Sequence, residues 1–295
     1  MRNFLVLFSA FLIGCDPAPG GDELRAATDL CEIVQPVMPL AEGLEESSGV
    51  VVSRRDPGIL WTHNDFGWPA EIVSITPSGQ LISRVGIAGA TSFDWEDIAF
   101  GPCPQGECLY IGDIGDNQAV RENITVFRLP EPASSAGEAR VTDRFDMRYP
   151  DGGRDAESLF VLPTGELYLV TKGVHRRAEL FRYPLPLRAG ETVALEPVIP
   201  LSPGPLDLLE QLTAADVSPS GDWLAIRSYQ SIAFYRPASL IGGDTVPAYR
   251  FDLEDVEEVQ GEGLALLDDG TVYLTGEGGF EGARGTIAIL RCRLP

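Results

Sequence analysis

The sequence predicts an all-β fold, a five-bladed β-propeller of four-stranded blades. Three observations carry this expectation. A short pattern, in which a polar residue leads alternating apolar positions and a turn, occurs five times. A strand-like run near the N-terminus has no unit of its own, while the last unit lacks its outer strand. Two cysteines left over from local pairing sit at the ends of those two runs.

The five copies are SGVVV from Ser48, EDIAF from Glu96, ESLFV from Glu157, TAADV from Thr213 and EGLAL from Glu262. Each is followed by a second apolar run: ILWTHN, LYIGD, LYLVT, WLAIR and VYLTG. Turn signals PTGE at Pro163, PSGD at Pro219 and DDGT at Asp268 separate the two runs where hairpins need them. Two further runs follow in each of the first four units, such as EIVSI and LISRVGI after the first copy. Each unit therefore reads as strands A, B, C and D. After the second and third copies, the D strands are ARVTDRFDMRY from Ala139 and TVALEPVI from Thr192.

The fifth unit stops after its C strand, TIAILRC from Thr286. The spare run EIVQPVMPL from Glu32 supplies the missing outer strand if the ring closes. Antiparallel pairing then sets Cys31 against Cys292. Cys103 and Cys108 flank PQGE in a hairpin turn and suit a local bridge. Four cysteines allow three pairings, and a zinc site competes with them, but the spacing fits no common zinc pattern. The alternative architecture has six blades, with further strands in the stretches 130–140 and 184–212.

The N-terminus reads as a targeting signal. Arg2 is followed by an apolar run from Phe4 to Ile13, too short to span a bilayer as a stable helix. It ends in Leu12-Ile13-Gly14-Cys15, which looks like a bacterial lipobox in which Cys15 is lipidated. The expected organisation is a signal peptide over 1–14, a lipidated cysteine and flexible tether over 15–30, and the propeller over 31–295. Acylated Cys15 then anchors the chain to a membrane outside the cytoplasm, periplasmic or surface-exposed, where disulfides persist.

Composition narrows the partners. The 295 residues carry a formal net charge of -22 and are 44% hydrophobic, enough for one large core. Such acidity makes nucleic acid and anionic lipid surfaces poor partners. A monomer that takes an anionic small molecule or a protein partner is expected. There is no Walker-type phosphate loop, GxSxG elbow or HExxH helix, and His63 and His175 are the only histidines.

In a propeller, strand A is innermost, and its start shares a face with the loop after strand B. Ser48, Glu96, Glu157, Thr213 and Glu262 should thus meet at one mouth of the central channel. Converging carboxylates repel one another, so their pKa values rise or a cation sits among them. An all-oxygen donor set in loose geometry favours Ca²⁺. The other reading pairs these glutamates with arginines or hydrates an open channel.

The order Ser, Glu, Glu, Thr, Glu over five blades resembles the central Ca²⁺ ring of the calcium-activated nucleotidase (apyrase) family. Those proteins are five-bladed propellers that hydrolyse nucleoside di- and triphosphates. The resemblance implies that the five lead residues are ion ligands, with Thr213 standing where the pattern has serine. The strings DWEDIAFG and LYIGDIGDN also look like those of uncharacterised bacterial secreted propeller lipoproteins, a likeness of fold.

The loops after the B strands should line a funnel around this centre. Lys172, the only lysine in the chain, and Arg227 are candidates to clamp a phosphate or carboxylate. Asp65, Asp113 and Glu277 are candidates to position or deprotonate water. The competing reading makes all of these salt-bridge partners between blades. DIGDN from Asp113 lacks full calcium-loop spacing and reads as a turn whose aspartates cap backbone amides. Two functions follow. One is Ca²⁺-dependent hydrolysis of phosphate esters or anhydrides, with ester hydrolysis as its variant. The other is a non-catalytic surface lipoprotein with a structural ion.

Overall fold

A computed structural model describes residues 30–279 and 282–295. The expected signal peptide, Cys15 and most of the tether lie outside the described residues. Five sheets form the five blades, each built on four antiparallel strands that in blades 1–4 are added in chain order from the centre outwards. Blade 1 holds Ser47–Val52, Leu60–Asn64, Glu71–Ile75 and Leu81–Ala88. Blade 2 holds Trp95–Cys103, Gly106–Asp113, Ile124–Pro130 and Asp143–Arg148. Blade 3 holds Ala156–Val161, Leu167–Thr171, Glu179–Arg182 and Glu196–Pro200, and blade 4 holds Leu212–Val217, Leu224–Ser228, Ser231–Tyr235 and Tyr249–Asp252. Blade 5 holds Gln260–Leu266, Thr271–Glu277 and Thr286–Cys292 and is completed by Cys31–Pro39.

The inner strands pack against those of both neighbours, and the last touches the first, so the ring is closed. Burial follows. Every residue of Ala156–Val161 is buried, whereas the outer strand Tyr249–Asp252 alternates half-buried and exposed positions. Five apolar clusters fill the blade interfaces, one per interface. Val50 and Leu60 of blade 1 meet Ala265 and Ile287 of blade 5 in the cluster that seals the ring. Burying such side chains contributes about 1.5–3 kcal/mol each.

The closing strand pairs antiparallel with Thr286–Cys292, with Cys31 opposite Cys292, and the two form a disulfide. Cys103 and Cys108 form the second. The stretches expected to hide a sixth blade instead hold edge strands. Glu138–Arg140 pairs in parallel with the outer strand of blade 1, and Thr192–Ala194 with that of blade 2. The runs read as single D strands from Ala139 and Thr192 are therefore split. Their first residues extend the preceding blade before the chain enters its own, so two blades carry a fifth strand. Adding a strand satisfies the exposed backbone of an edge.

The two disulfides close loops of very different length, with sequence separations of 261 and 5. Replacing Cys31 and Cys292 together by alanine is expected to cost about 5 kcal/mol, against about 2 kcal/mol for the Cys103 and Cys108 pair, on chain-entropy grounds. Guanidinium unfolding of both variants measures the difference.

Candidate metal centre

Every inner strand is irregular at one place, and that place is its lead residue. Pairing between strands A and B shifts register between Ser47 and Val50, Trp95 and Asp97, Ala156 and Ser158, Leu212 and Ala214, and Gly261 and Gly263. Ser48, Glu96, Glu157, Thr213 and Glu262 thus sit in five β-bulges. A bulge frees one residue from the ladder and re-aims its side chain. The repeat seen in the sequence is a repeat of bulges around one channel mouth.

The three glutamates gather there with aspartates. Carboxylate oxygens of Asp65, Asp94 and Glu96 lie within 4.8 Å of one another, as do those of Glu96, Asp155 and Glu157. All but Asp65, which is half-buried, are at most 5% exposed. Lys172 reaches Glu157, Nζ to Oε1, at 2.9 Å. The Tyr229 hydroxyl donates to Glu262 Oε1 at 3.0 Å, and the Gln260 amide donates to Glu262 and, at 2.6 Å, to Glu277 Oε2. Asp155 Oδ1 accepts the Asp116 amide at 2.8 Å, which ties blade 2 to blade 3.

Asp94 and Asp155 were not singled out from the sequence, although a signal exists. Each stands two residues before a lead glutamate, in Asp94-Trp95-Glu96 and Asp155-Ala156-Glu157, and Gln260 holds the same place before Glu262.

Other expected site residues are engaged elsewhere. The Ser48 hydroxyl donates to the Glu96 carbonyl at 2.5 Å, and the Thr213 hydroxyl to the Gly261 carbonyl at 3.0 Å. Their protons stitch adjacent blades. Arg227 is fully buried, paired with Glu258 at 2.8 Å and donating to the Gly263 carbonyl, so it braces the entry to blade 5 and is no phosphate clamp. Asp113 pairs with Arg121 at 2.8 Å and accepts the Asp94 amide at 3.3 Å. Asp116 accepts the amides of Val120 and Arg121, the capping turn expected for DIGDN. Lys172 is in the well, but Glu157 holds its ammonium group. Glu277 lines an adjoining cleft of about 670 Å³ with Glu42, Glu45, Glu46, Gln260 and Trp68.

Burial and crowding raise the acid pKa values. Asp65 is pushed up to about 8, first by desolvation and then by Asp94, Glu277 and Glu262. Desolvation and Asp155 raise Asp94 to about 6, and desolvation and Glu262 raise Glu277 to about 7. Glu96 and Glu157 rise well above the carboxylate range, Glu157 despite the opposing charge of Lys172. His63, buried against Trp95, is lowered to about 4 by desolvation and is neutral.

The donor set fits a hard divalent cation. Asp65 Oδ1, Asp94 Oδ1, Glu96 Oε1, Asp155 Oδ2 and Glu262 Oε2 are buried with no hydrogen-bond partner. Carboxylate oxygens without imidazole or thiolate suit Ca²⁺ or Mg²⁺, and the mixed, irregular placement suits the more permissive Ca²⁺.

Raised folded-state values mean that the native state binds more protons than the unfolded chain between about pH 4 and pH 8. In chelator, stability is therefore greatest below the unfolded carboxylate value and falls as pH rises through about 6, 7 and 8, where Asp94, Glu277 and Asp65 ionise. Thermal unfolding at pH 5 and pH 8 with chelator checks this, and a higher melting temperature at pH 8 would contradict it.

No family model matches the chain, and no curated protein matches it. Solved structures do. The PQQ-bound aldose sugar dehydrogenase of Streptomyces coelicolor superposes with a TM-score of 0.53 at 11% identity, over 89% of this chain and 98% of that one. A calcium-binding protein, regucalcin, from Agrobacterium tumefaciens aligns with a TM-score of 0.49 at 12% identity, over 89% and 96%. The luciferin-regenerating enzyme aligns with a TM-score of 0.46 at 10% identity, over 87% and 95%. At 11% identity the likeness to the sugar dehydrogenase is one of fold alone.

Proposed function

We propose that the protein is a calcium-binding propeller, held outside the cytoplasm by lipidated Cys15, whose ion sits in the carboxylate well and orders the mouth of the channel for a binding partner. The observation that carries this reading is the set of buried carboxylate oxygens without partners, with Lys172 the one cation bonded to the lead glutamates among the described residues. Unpaired buried charge is costly, and a divalent cation offsets it. The two disulfides support an extracytoplasmic place. No helix among the described residues is long and apolar enough to cross a membrane.

The non-catalytic reading is favoured because the expected anion clamp is spent. Arg227 pairs with Glu258 and Lys172 with Glu157. Hydrolysis of a phosphate ester or anhydride is the second reading, and the cleft beside the well favours it. There, a bound metal would polarise a substrate oxygen. Glu277 would orient water and take its proton, while Gln260 holds Glu277 in place. The glutamates of the cleft repel a polyanion, so the ion would also be needed for such a substrate to enter.

Calcium at a hundredfold excess over its dissociation constant is expected to raise the melting temperature by about 5–10 °C relative to chelator. Glu96→Gln should lose most of that shift. An unchanged melting temperature in calcium rules out the ion. On the same calcium-loaded sample, a panel of phosphate esters and nucleotides separates the readings, since absence of turnover leaves binding alone.

A further inference from the structure

We infer that the well holds two divalent cations bridged by Glu96, a conclusion that rests on the calcium-binding reading and goes beyond a single central ion. The first position is formed by Asp65, Asp94 and Glu96, and the second by Glu96, Asp155 and Glu157.

Geometry separates the two positions. Ca²⁺ binds oxygen at 2.3–2.6 Å, so the ligands of one ion lie at most about 5 Å apart. The two groups each fit within 4.8 Å, yet among the described residues no group of that width joins Asp65 or Asp94 to Asp155 or Glu157. The two groups share Glu96 and no other residue, so as they stand they form two three-carboxylate positions. Glu96 belongs to both groups, which is the geometry of a bridging carboxylate.

Both positions include residues with buried, unpartnered oxygens. These are Asp65 Oδ1 and Asp94 Oδ1 in the first, Asp155 Oδ2 in the second, and Oε1 of the shared Glu96. Glu96, Asp94 and Asp155 are only 3%, 4% and 5% exposed. Gly115 flanks the first position, where a Cβ would collide with Glu96 Oε1 and Asp94 Oδ2, so the backbone approaches the carboxylates closely. Charge agrees. With Glu262 the well holds six carboxylates; Lys172 and one divalent cation offset three of these charges, and a second cation offsets two more. Lys172 already bonds Glu157, so the second position is the weaker.

Calorimetric titration of chelator-stripped protein with Ca²⁺, and native mass spectrometry of the saturated chain, should give two ions with separated affinities. Mn²⁺ in place of Ca²⁺ should give an exchange-coupled paramagnetic resonance spectrum, as expected for ions about 4 Å apart. Asp65→Asn and Asp155→Asn should each leave one ion, and Lys172→Met should tighten the second step by at least about tenfold. One ion per chain at saturation overturns the two-cation site while leaving the calcium-binding reading intact. Loss of all binding in both Asp65→Asn and Asp155→Asn, with wild-type protein binding one ion, does the same. No binding by the wild-type chain overturns both readings.

Discussion

The acids at the channel mouth repel one another, and the ring has to hold them together against that repulsion. Desolvation is the largest cause of their raised pKa values, with neighbouring carboxylates adding to it. Apolar clusters at every blade interface and a covalently closed ring supply the opposing stability. Without closure, the blades are free to spread and the acids to hydrate separately. The closing strand and its disulfide thus bear on the chemistry at the mouth as well as on the fold.

The bulges are the link between backbone and chemistry. A regular strand would alternate its side chains between the two faces of the blade and place none along the channel axis. One irregularity per inner strand turns five residues out of the ladder. Where that residue is Ser48 or Thr213, its hydroxyl bonds a carbonyl of the next blade. Where it is glutamate, it enters the well. The ring is therefore asymmetric. The acids cluster towards blades 1, 2 and 3, and Lys172, Tyr229 and Gln260 engage Glu157 and Glu262.

Buried polar groups away from the well do structural work of the same kind. The Asp97 carboxylate accepts the amides of Ile98 and of Leu159 in blade 3, each at 2.9 Å. Asp216 accepts those of Val217 and of Leu266 in blade 5. Burial raises both acids, yet their oxygens are satisfied. The contrast with the well is informative, because there the unpartnered oxygens face other carboxylates. Arg227 belongs with the staples. The sequence reading put its charge in a funnel loop, but it lies within the strand Leu224–Ser228, and Glu258 arrives from the loop before blade 5 to neutralise it.

The sequence by itself determined the blade count, the closing strand, both disulfides and the three lead glutamates. Each follows from local periodicity or from a count of leftover pieces, which linear order preserves. The tertiary structure alone decided which polar residues face the axis and which are spent on their neighbours. Asp94 and Asp155 join the well from the loop positions that lead into the inner strands of blades 2 and 3. Arg121 pairs with Asp113 and Glu258 with Arg227, while the Ser48 and Thr213 hydroxyls donate to carbonyls of the next blade. The extra edge strands in blades 1 and 2 were hidden for the same reason. Their pairing is with a sheet formed by earlier residues, and no local pattern in Glu138–Arg140 or Thr192–Ala194 specifies that partner. Periodicity is written along the chain, whereas the partner of a buried charge is set by which strands the ring brings side by side.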